Sequence, residues 1–287
     1  MPFRTARSQD IDAIAAFTTG TFDWGDYVPE SISGWIADAS GRVLVAVDDD
    51  DRPVAIGRGL LLTPQEAWFH AARVHPAWRG RGIASDMAVA LADWARTQGA
   101  LVARLLIEQD NAASVRHIAK TGFRQTAVVH RGCRDLQAPS PQQKGNGGQR
   151  RRSLMSAQRG TRFDAEMIAA SWPTSDAGRA MRGLIGRSWA FHRLRSRDVE
   201  TAAGEGRLWA VGSAWAIVDE RDGIFEIGLL DAAESDAGVV VRALVDLAAD
   251  RDAHTVWIWH ADLRWLTDAV AAAGCESEAS GIYALGL

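Results

Sequence analysis

At 287 residues with 47% hydrophobic side chains, the chain exceeds one ordinary domain and can fill packed cores, so two domains are expected. A net charge of −4 argues against a dedicated nucleic-acid binder, no apolar run is long enough to span a membrane, and Met1-Pro2-Phe3-Arg4 leads into no apolar signal stretch, so a soluble protein is expected. The two cysteines, Cys133 and Cys275, lack metal spacing and allow at most one bridge, which points to a reducing cytoplasm and no metal centre.

Phe3–Ala6 reads as a first strand, and Ser8 or Asp10 then caps a helix carrying Ile11, Ile14, Ala15 and Phe17. A turn-rich run of aromatic and acidic residues, Phe22–Pro29, precedes a helix around Ile32, Trp35 and Ile36. Strands at Val43–Val47 and Val54–Leu62 flank the hairpin loop Asp48–Pro53. Its four adjacent carboxylates point in different directions along a loop and read as a solvated turn. Next come a strand at Trp68–Val74, a break at Pro76, the turn Arg79-Gly80-Arg81-Gly82, and a helix on which Ile83, Met87, Ala90, Leu91 and Trp94 recur at helical spacing. A strand at Leu101–Glu108, a short helix after Asn111 and a strand pair near Phe123–Arg131 complete one α/β unit over residues 1–136.

Residues 137–162 hold Pro, Gln, Gly and six basic but no acidic residues, and read as a flexible basic linker. Its Arg150-Arg151-Arg152 run is expected to rest against the acidic second domain, not against nucleic acid. Residues 163–287 repeat the grammar of the first domain. Paired strands Leu208–Val218 and Ile224–Leu230 lead to a helix on Val239, Val240, Ala243, Leu244 and Leu247. A strand Thr255–Trp259, a helix on Leu263, Leu266, Val270 and Ala273, and a last strand Ile282–Leu285 follow. The expected fold class is α/β, with a mixed sheet in each domain.

The chemistry concentrates in the turn at residues 79–82. Gly80 and Gly82 remove the Cβ atoms that would hold a ligand off the backbone. The N–H groups that open the next helix lack intrahelical acceptors, and the dipole there favours an anion. Arg79 and Arg81 add positive charge, so the turn is a pyrophosphate cradle. It has no Lys or Thr for a nucleotide P-loop, and Ser85 stands where a dinucleotide site needs its third glycine. The equivalent stretch of the second half, Asp231–Asp236, holds three carboxylates that would repel a pyrophosphate.

Arg79, Gly82 and Ala84, after the lead-in Val74-His75-Pro76, resemble the R-x-x-G-x-A signature of the GCN5-related N-acetyltransferases (GNAT). Asn111-Ala112-Ala113-Ser114 and Gly122-Phe123 follow at the family's spacing. The resemblance implies two tandem GNAT-like acyl-CoA N-acyltransferase domains, the second degenerate. It also implies acetyl-CoA as co-substrate, held by Val74, Arg79, Gly80, Arg81, Gly82, Ile83, Ala84 and Asn111. The run from Trp24 to Pro29, Trp35, Arg73-Val74 and the tandem arrangement are similar to the histidine N-acetyltransferase group within that family. That likeness implies a small-molecule amine acceptor, a free amino acid included. The helix tyrosine of the family falls at Ile118, and His70 stands where many relatives carry a glutamate.

Amine acylation by a thioester needs a neutral amine, a stabilised oxyanion and a proton for the thiolate. His70 is the candidate general base, expected to titrate at about 6–7, with His75 a weaker candidate. Tyr27 is a candidate thiolate acid or substrate contact, Glu108 a further polar candidate, and a strand N–H near Val74 the oxyanion donor. Asn111 suits a pantetheine contact, a helix cap, or both. The leading expectation is an acetyl-CoA-dependent N-acetyltransferase with a small-molecule partner, no nucleic acid and no membrane; monomer and homodimer both fit. The alternatives are an aminoglycoside or protein amine as acceptor, and a catalytically silent acyl-CoA sensor.

Overall fold

The computed structural model of the protein describes residues 1–21, 25–138 and 155–287. They form two compact units, one of Met1–Gln125 with Tyr283–Leu287 and one of Thr126–Ile282.

In the first unit the elements are β1 (Phe3–Thr5), α1 (Ile11–Thr18), α2 (Val28–Ala37), β2 (Gly41–Val47), β3 (Pro53–Thr63), β4 (Glu66–Val74), α3 (Ile83–Thr97), β5 (Val102–Glu108) and α4 (Ala112–Ala119). Strands β1 to β5 lie side by side in chain order. The first four pair antiparallel, and β4 pairs parallel with β5. Each face of the sheet carries its own core. Ile14, Phe17, Val28 and Ile32 of α1 and α2 pack with Val43, Val45 and Ile56 in one. Ile83, Met87, Leu91 and Trp94 of α3 pack with Ala67, Phe69, Leu105, Ile107 and Ile118 in the other. Two glycines on β3 let α3 lie this close: a Cβ on Gly57 would stand 2.8 Å from Met87 Cγ, and one on Gly59 2.4 Å from the Trp94 ring.

The second unit holds β6 (Arg124–Asp135, from Thr126 onward), β7 (Ala157–Arg159), α5 (Ala165–Ser171), α6 (Asp176–Ala180), β8 (Leu184–Arg187), β9 (Ala190–Arg193) and α7 (Ser196–Gly204). After these come β10 (Leu208–Val211), β11 (Ala214–Arg221), β12 (Ile224–Asp231), α8 (Ala237–Asp250), β13 (Thr255–Ala261), α9 (Arg264–Ala272) and β14 (Glu276–Gly286). Strands β11 and β12 pair antiparallel and β12 and β13 parallel, as β3, β4 and β5 do in the first unit. The β8–β9 hairpin stands apart from that sheet in its own pairing.

Several boundaries differ from the expected ones. A single strand, β6, replaces the strand pair expected near Phe123–Arg131, and from Thr126 it belongs to the second unit, where its residues 129–135 pair with β13. The last five residues, Tyr283–Leu287, return to the first unit, where Leu287 N–H donates to Leu101 O at 2.9 Å. Of the expected linker, residues 139–154, including Arg150–Arg152, lie outside the described residues. Near its end, residues 157–159 form β7, which pairs with β10. The expected strand Leu208–Val218 is two strands, because Gly212, at φ 61°, turns the chain between β10 and β11. The last strand is longer than Ile282–Leu285, running from Glu276 to Gly286.

His260 on β13 is 1% exposed, and burial pushes its imidazole down to about 4. The unfolded chain therefore binds a proton near pH 6.5 that the folded chain refuses. This contribution to stability is full above about pH 6.5 and is lost as the pH falls toward 4, for a total of about 3 kcal/mol. Denaturant titrations at pH 7 and pH 4.5 are expected to show that loss on top of the one His70 contributes, and His260→Phe is expected to shrink the difference by about that amount. An unchanged slope in the variant would contradict the assignment.

Candidate active site

The site is built around β4. Strands β4 and β5 pair only from Glu66↔Val102 to Trp68↔Arg104, although β4 continues to Val74 and β5 to Glu108. Beyond Trp68 no pairing joins the two strands, which leaves a break in the ladder at this point of the sheet. A bulge interrupts the β3–β4 pairing as well. On β3 Ile56 pairs with Arg73 and Arg58 with His70, so Ala71 and Ala72 together oppose Gly57. Ala71 carries the strain, with φ at +59°.

Past β4 the chain turns through Pro76–Trp78, and Gly82 caps α3 at φ +82°. Gly80, at φ +78°, shares the left-handed conformation, and a Cβ on either glycine would meet nothing within 4 Å. The two glycines thus open onto free space beside the unpaired amides of the first helical turn, a cradle that fits a pyrophosphate. Arg79 Nε donates to Val74 O at 3.1 Å and Arg81 Nη2 to Ala77 O at 3.2 Å, and Arg81 lies 4.6 Å over the Trp78 ring. These contacts hold two exposed guanidiniums at the rim. The residues expected to hold acetyl-CoA therefore fit its diphosphate. Asn111 caps α4 by accepting from Ser114 N–H at 3.0 Å. His75 is likewise a cap, its Nδ1 accepting from Ala77 N–H at 3.2 Å.

On the opposite face of the sheet, packing brings together residues far apart in sequence. The His70 ring meets Trp35 edge-on at 5.1 Å, and Trp35 meets Tyr27 at 5.8 Å. Arg58 lies 5.1 Å over the Trp35 ring and pairs with Asp38. Arg73 lies 5.5 Å from the centre of the Tyr27 ring and pairs with buried Asp26 at 2.6 Å. Two ion pairs and an aromatic chain thus bolt α2 onto β3 and β4. Asp26 and Trp35 entered the sequence reading only through the resemblance, and Arg58 and Asp38 not at all, because only the docking of α2 brings the four to His70.

That setting corrects the expected titration of His70. Burial, then Arg58 and Arg73, push its imidazole down to about 3, so it is uncharged throughout the neutral range and does not titrate at 6–7. The Tyr27 phenol is raised, chiefly by loss of water where the ring packs on Trp35, although the residue as a whole is 38% exposed. Glu108 stands exposed at the end of β5 and makes none of the contacts of the His70 cluster. Ile118 is 2% exposed in the α3-side core. The other tyrosine, Tyr283, is buried in that core, with its hydroxyl 3.4 Å from Gln125 Oε1.

The second unit presents a different picture at the matching place. Its turn between β12 and α8 holds Asp231, Glu234 and Asp236, and burial raises the Asp231 carboxyl. The β8–β9 hairpin lies against β12: Ser188 N–H donates to buried Glu226 at 2.8 Å, and so does Trp259 Nε1. Glu226 is itself raised by burial. Among the described residues no group of three or more His, Cys, Asp or Glu side chains could hold a metal ion, and no helix is long and apolar enough to cross a membrane.

Residues 11–123 match the model of the acetyltransferase (GNAT) family. No curated protein matches the chain in sequence. Among solved structures, a GCN5-related N-acetyltransferase from Sphaerobacter thermophilus is similar over 99% of this chain and 95% of its own, at 13% identity and a TM-score of 0.66. A tandem GNAT protein from the clavulanic acid biosynthesis pathway is similar over 99% and 98%, at 16% identity and a TM-score of 0.58. The tandem fold is shared.

Proposed function

We propose that one site, in the first unit, where residues 11–123 match the acetyltransferase (GNAT) family, moves an acetyl group from acetyl-CoA to a primary amine of a small molecule. The observation that carries this reading is the pair of left-handed glycines, Gly80 and Gly82, opening onto free space past the break in the β4–β5 ladder. Bound acetyl-CoA supplies the activated acyl group. Arg79, Arg81 and the amides from Gly82 to Ala84 hold its diphosphate, and a β4 N–H near Val74 serves the developing oxyanion. Asn111, already a cap, keeps a second amide edge for the pantetheine arm. His70, uncharged, accepts a hydrogen bond from the amine and aims its lone pair, a positioning role in place of the proton store expected from sequence. Tyr27 is a contact on the acceptor side. A free amino acid is one acceptor of this class. The buried Ile118 favours a second reading, a catalytically silent acyl-CoA sensor, because it leaves α4 without a proton donor there.

Carboxylates fill the matching turn of the second unit, so calorimetric titration with CoA is expected to give one site per chain. Two sites of similar affinity would overturn that part of the proposal. Amine-dependent release of free thiol from acetyl-CoA separates enzyme from sensor.

A further inference from the structure

The surroundings of His70 bear on which amines can enter. Arg58 reaches it from β3 and Arg73 from its own strand, and these are the charges His70 feels. The carboxylates nearby among the described residues, Asp26 before α2 and Asp38 after it, are engaged by those same guanidiniums. Asp26 is fully buried in its pair. The α2 face itself contributes Trp35 and the phenol of Tyr27. An ammonium group entering here meets two guanidiniums and finds no uncommitted carboxylate among the described residues to replace its water. An uncharged amine meets an imidazole that can accept its N–H.

We propose that the acceptor is a weakly basic primary amine, of the α-amino kind, which enters uncharged, and that Arg58 and Arg73 are positioning residues that turn away polyamines and alkylammonium side chains. This rests on the acetyl-transfer reading above. On entry the amine leaves one proton in solvent. It gives up a second as its bond to the acetyl carbon forms and the carbon–sulfur bond breaks, and that proton completes the free thiol. At pH 7 roughly a tenth of an α-amino group is uncharged, against roughly one part in 2,500 of a lysine-type amine. The commitment of Asp26 and Asp38 to those guanidiniums, which leaves neither carboxylate to receive an ammonium, adds to that difference.

The test uses the full chain and three probes: glycinamide, Nα-acetyl-lysine and spermidine. Thiol release at pH 7 is expected to favour glycinamide by about a hundredfold or more in kcat/KM. Calorimetry on the CoA-bound protein is expected to detect no spermidine binding. Asp38→Asn, which unmasks Arg58, is expected to move the acid limb of kcat at saturating glycinamide, where the bound amine titrates, down by about half a unit, and Arg58→Met to move it up by about one. A purely structural role would lower the rate and leave the limb in place. Equal or better turnover of spermidine or Nα-acetyl-lysine would overturn the proposal, as would a limb that neither folded variant moves. Turnover of none of the three by a protein that binds CoA would sink the acceptor class and leave the cofactor site standing. Failure of the wild type to bind CoA would remove the underlying reading itself.

Discussion

Gly82→Asp is expected to abolish CoA binding while leaving the protein folded. Gly82 sits at φ +82°, and the position its Cβ would take has no neighbour within 4 Å, so the side chain enters the cradle without displacing protein atoms. The left-handed backbone costs a non-glycine residue about 1 kcal/mol, and aspartate tolerates it better than most. The larger effect is charge: a carboxylate about 5 Å from a phosphate at an effective dielectric near 20 opposes it by about 3 kcal/mol, or roughly two powers of ten in affinity. Two phosphates raise the loss further. Calorimetry on the variant decides this, with thermal melting as the control for folding. Unchanged affinity in a folded Gly82→Asp protein would remove the cradle from the account.

The second large effect concerns the β8–β9 hairpin. A Cβ on Gly228 of β12 would stand 1.9 Å from the Gly186 carbonyl oxygen of β8. A backbone oxygen has no rotamer to escape into, so Gly228→Ala must push the hairpin off the sheet. It would strain the bond from Ser188 N–H to Glu226 and the 5.1 Å contact between Trp189 and Trp259. The expected loss is about 3 kcal/mol or more, roughly a 10 °C fall in melting temperature for a unit of this size. Gly238→Ala in α8 is the control, because its Cβ would meet nothing within 4 Å. That change is expected to be neutral or to stabilise by up to about 1 kcal/mol. Equal melting of the two variants would show that the hairpin does not bear on β12 as described.

The cradle was legible in sequence because it is local. Two glycines and two arginines lie directly ahead of a helix, at residues 79–82, and each has a direct conformational or electrostatic meaning. Asp231–Asp236 was legible as its acidic counterpart for the same reason. What sequence did not disclose is non-local pairing. Nothing between Phe123 and Asp135 marks the point where β6 passes to the second unit, and nothing in Tyr283–Leu287 says that those residues pair with the first. The β8–β9 hairpin was missed because its turn places Ser188 and Trp189 at φ 51° and 66°, where a hairpin normally signals itself with Asn or Gly. Gly212-Ser213 did carry such a signal, and reading it would have separated β10 from β11.

His70 shows the same divide within the site. Its place on the strand leading to the cradle followed from the pattern of β4. Its state did not, because the imidazole is held uncharged by burial and by two arginines, one of which arrives on another strand. A histidine on an exposed strand would titrate in its usual range and could serve as a base. In the proposal above this one is a fixed acceptor of a hydrogen bond, and the group that sets the pH profile is then the amine.

The most direct test of the central claim is free-thiol release from acetyl-CoA by the full chain, followed with and without a primary amine such as glycinamide. The account predicts release that depends on the amine, saturates with it and disappears in Gly82→Asp. One equivalent of acetyl-CoA bound per chain, with no release above background for any primary amine offered, would contradict it and leave an acyl-CoA sensor in its place.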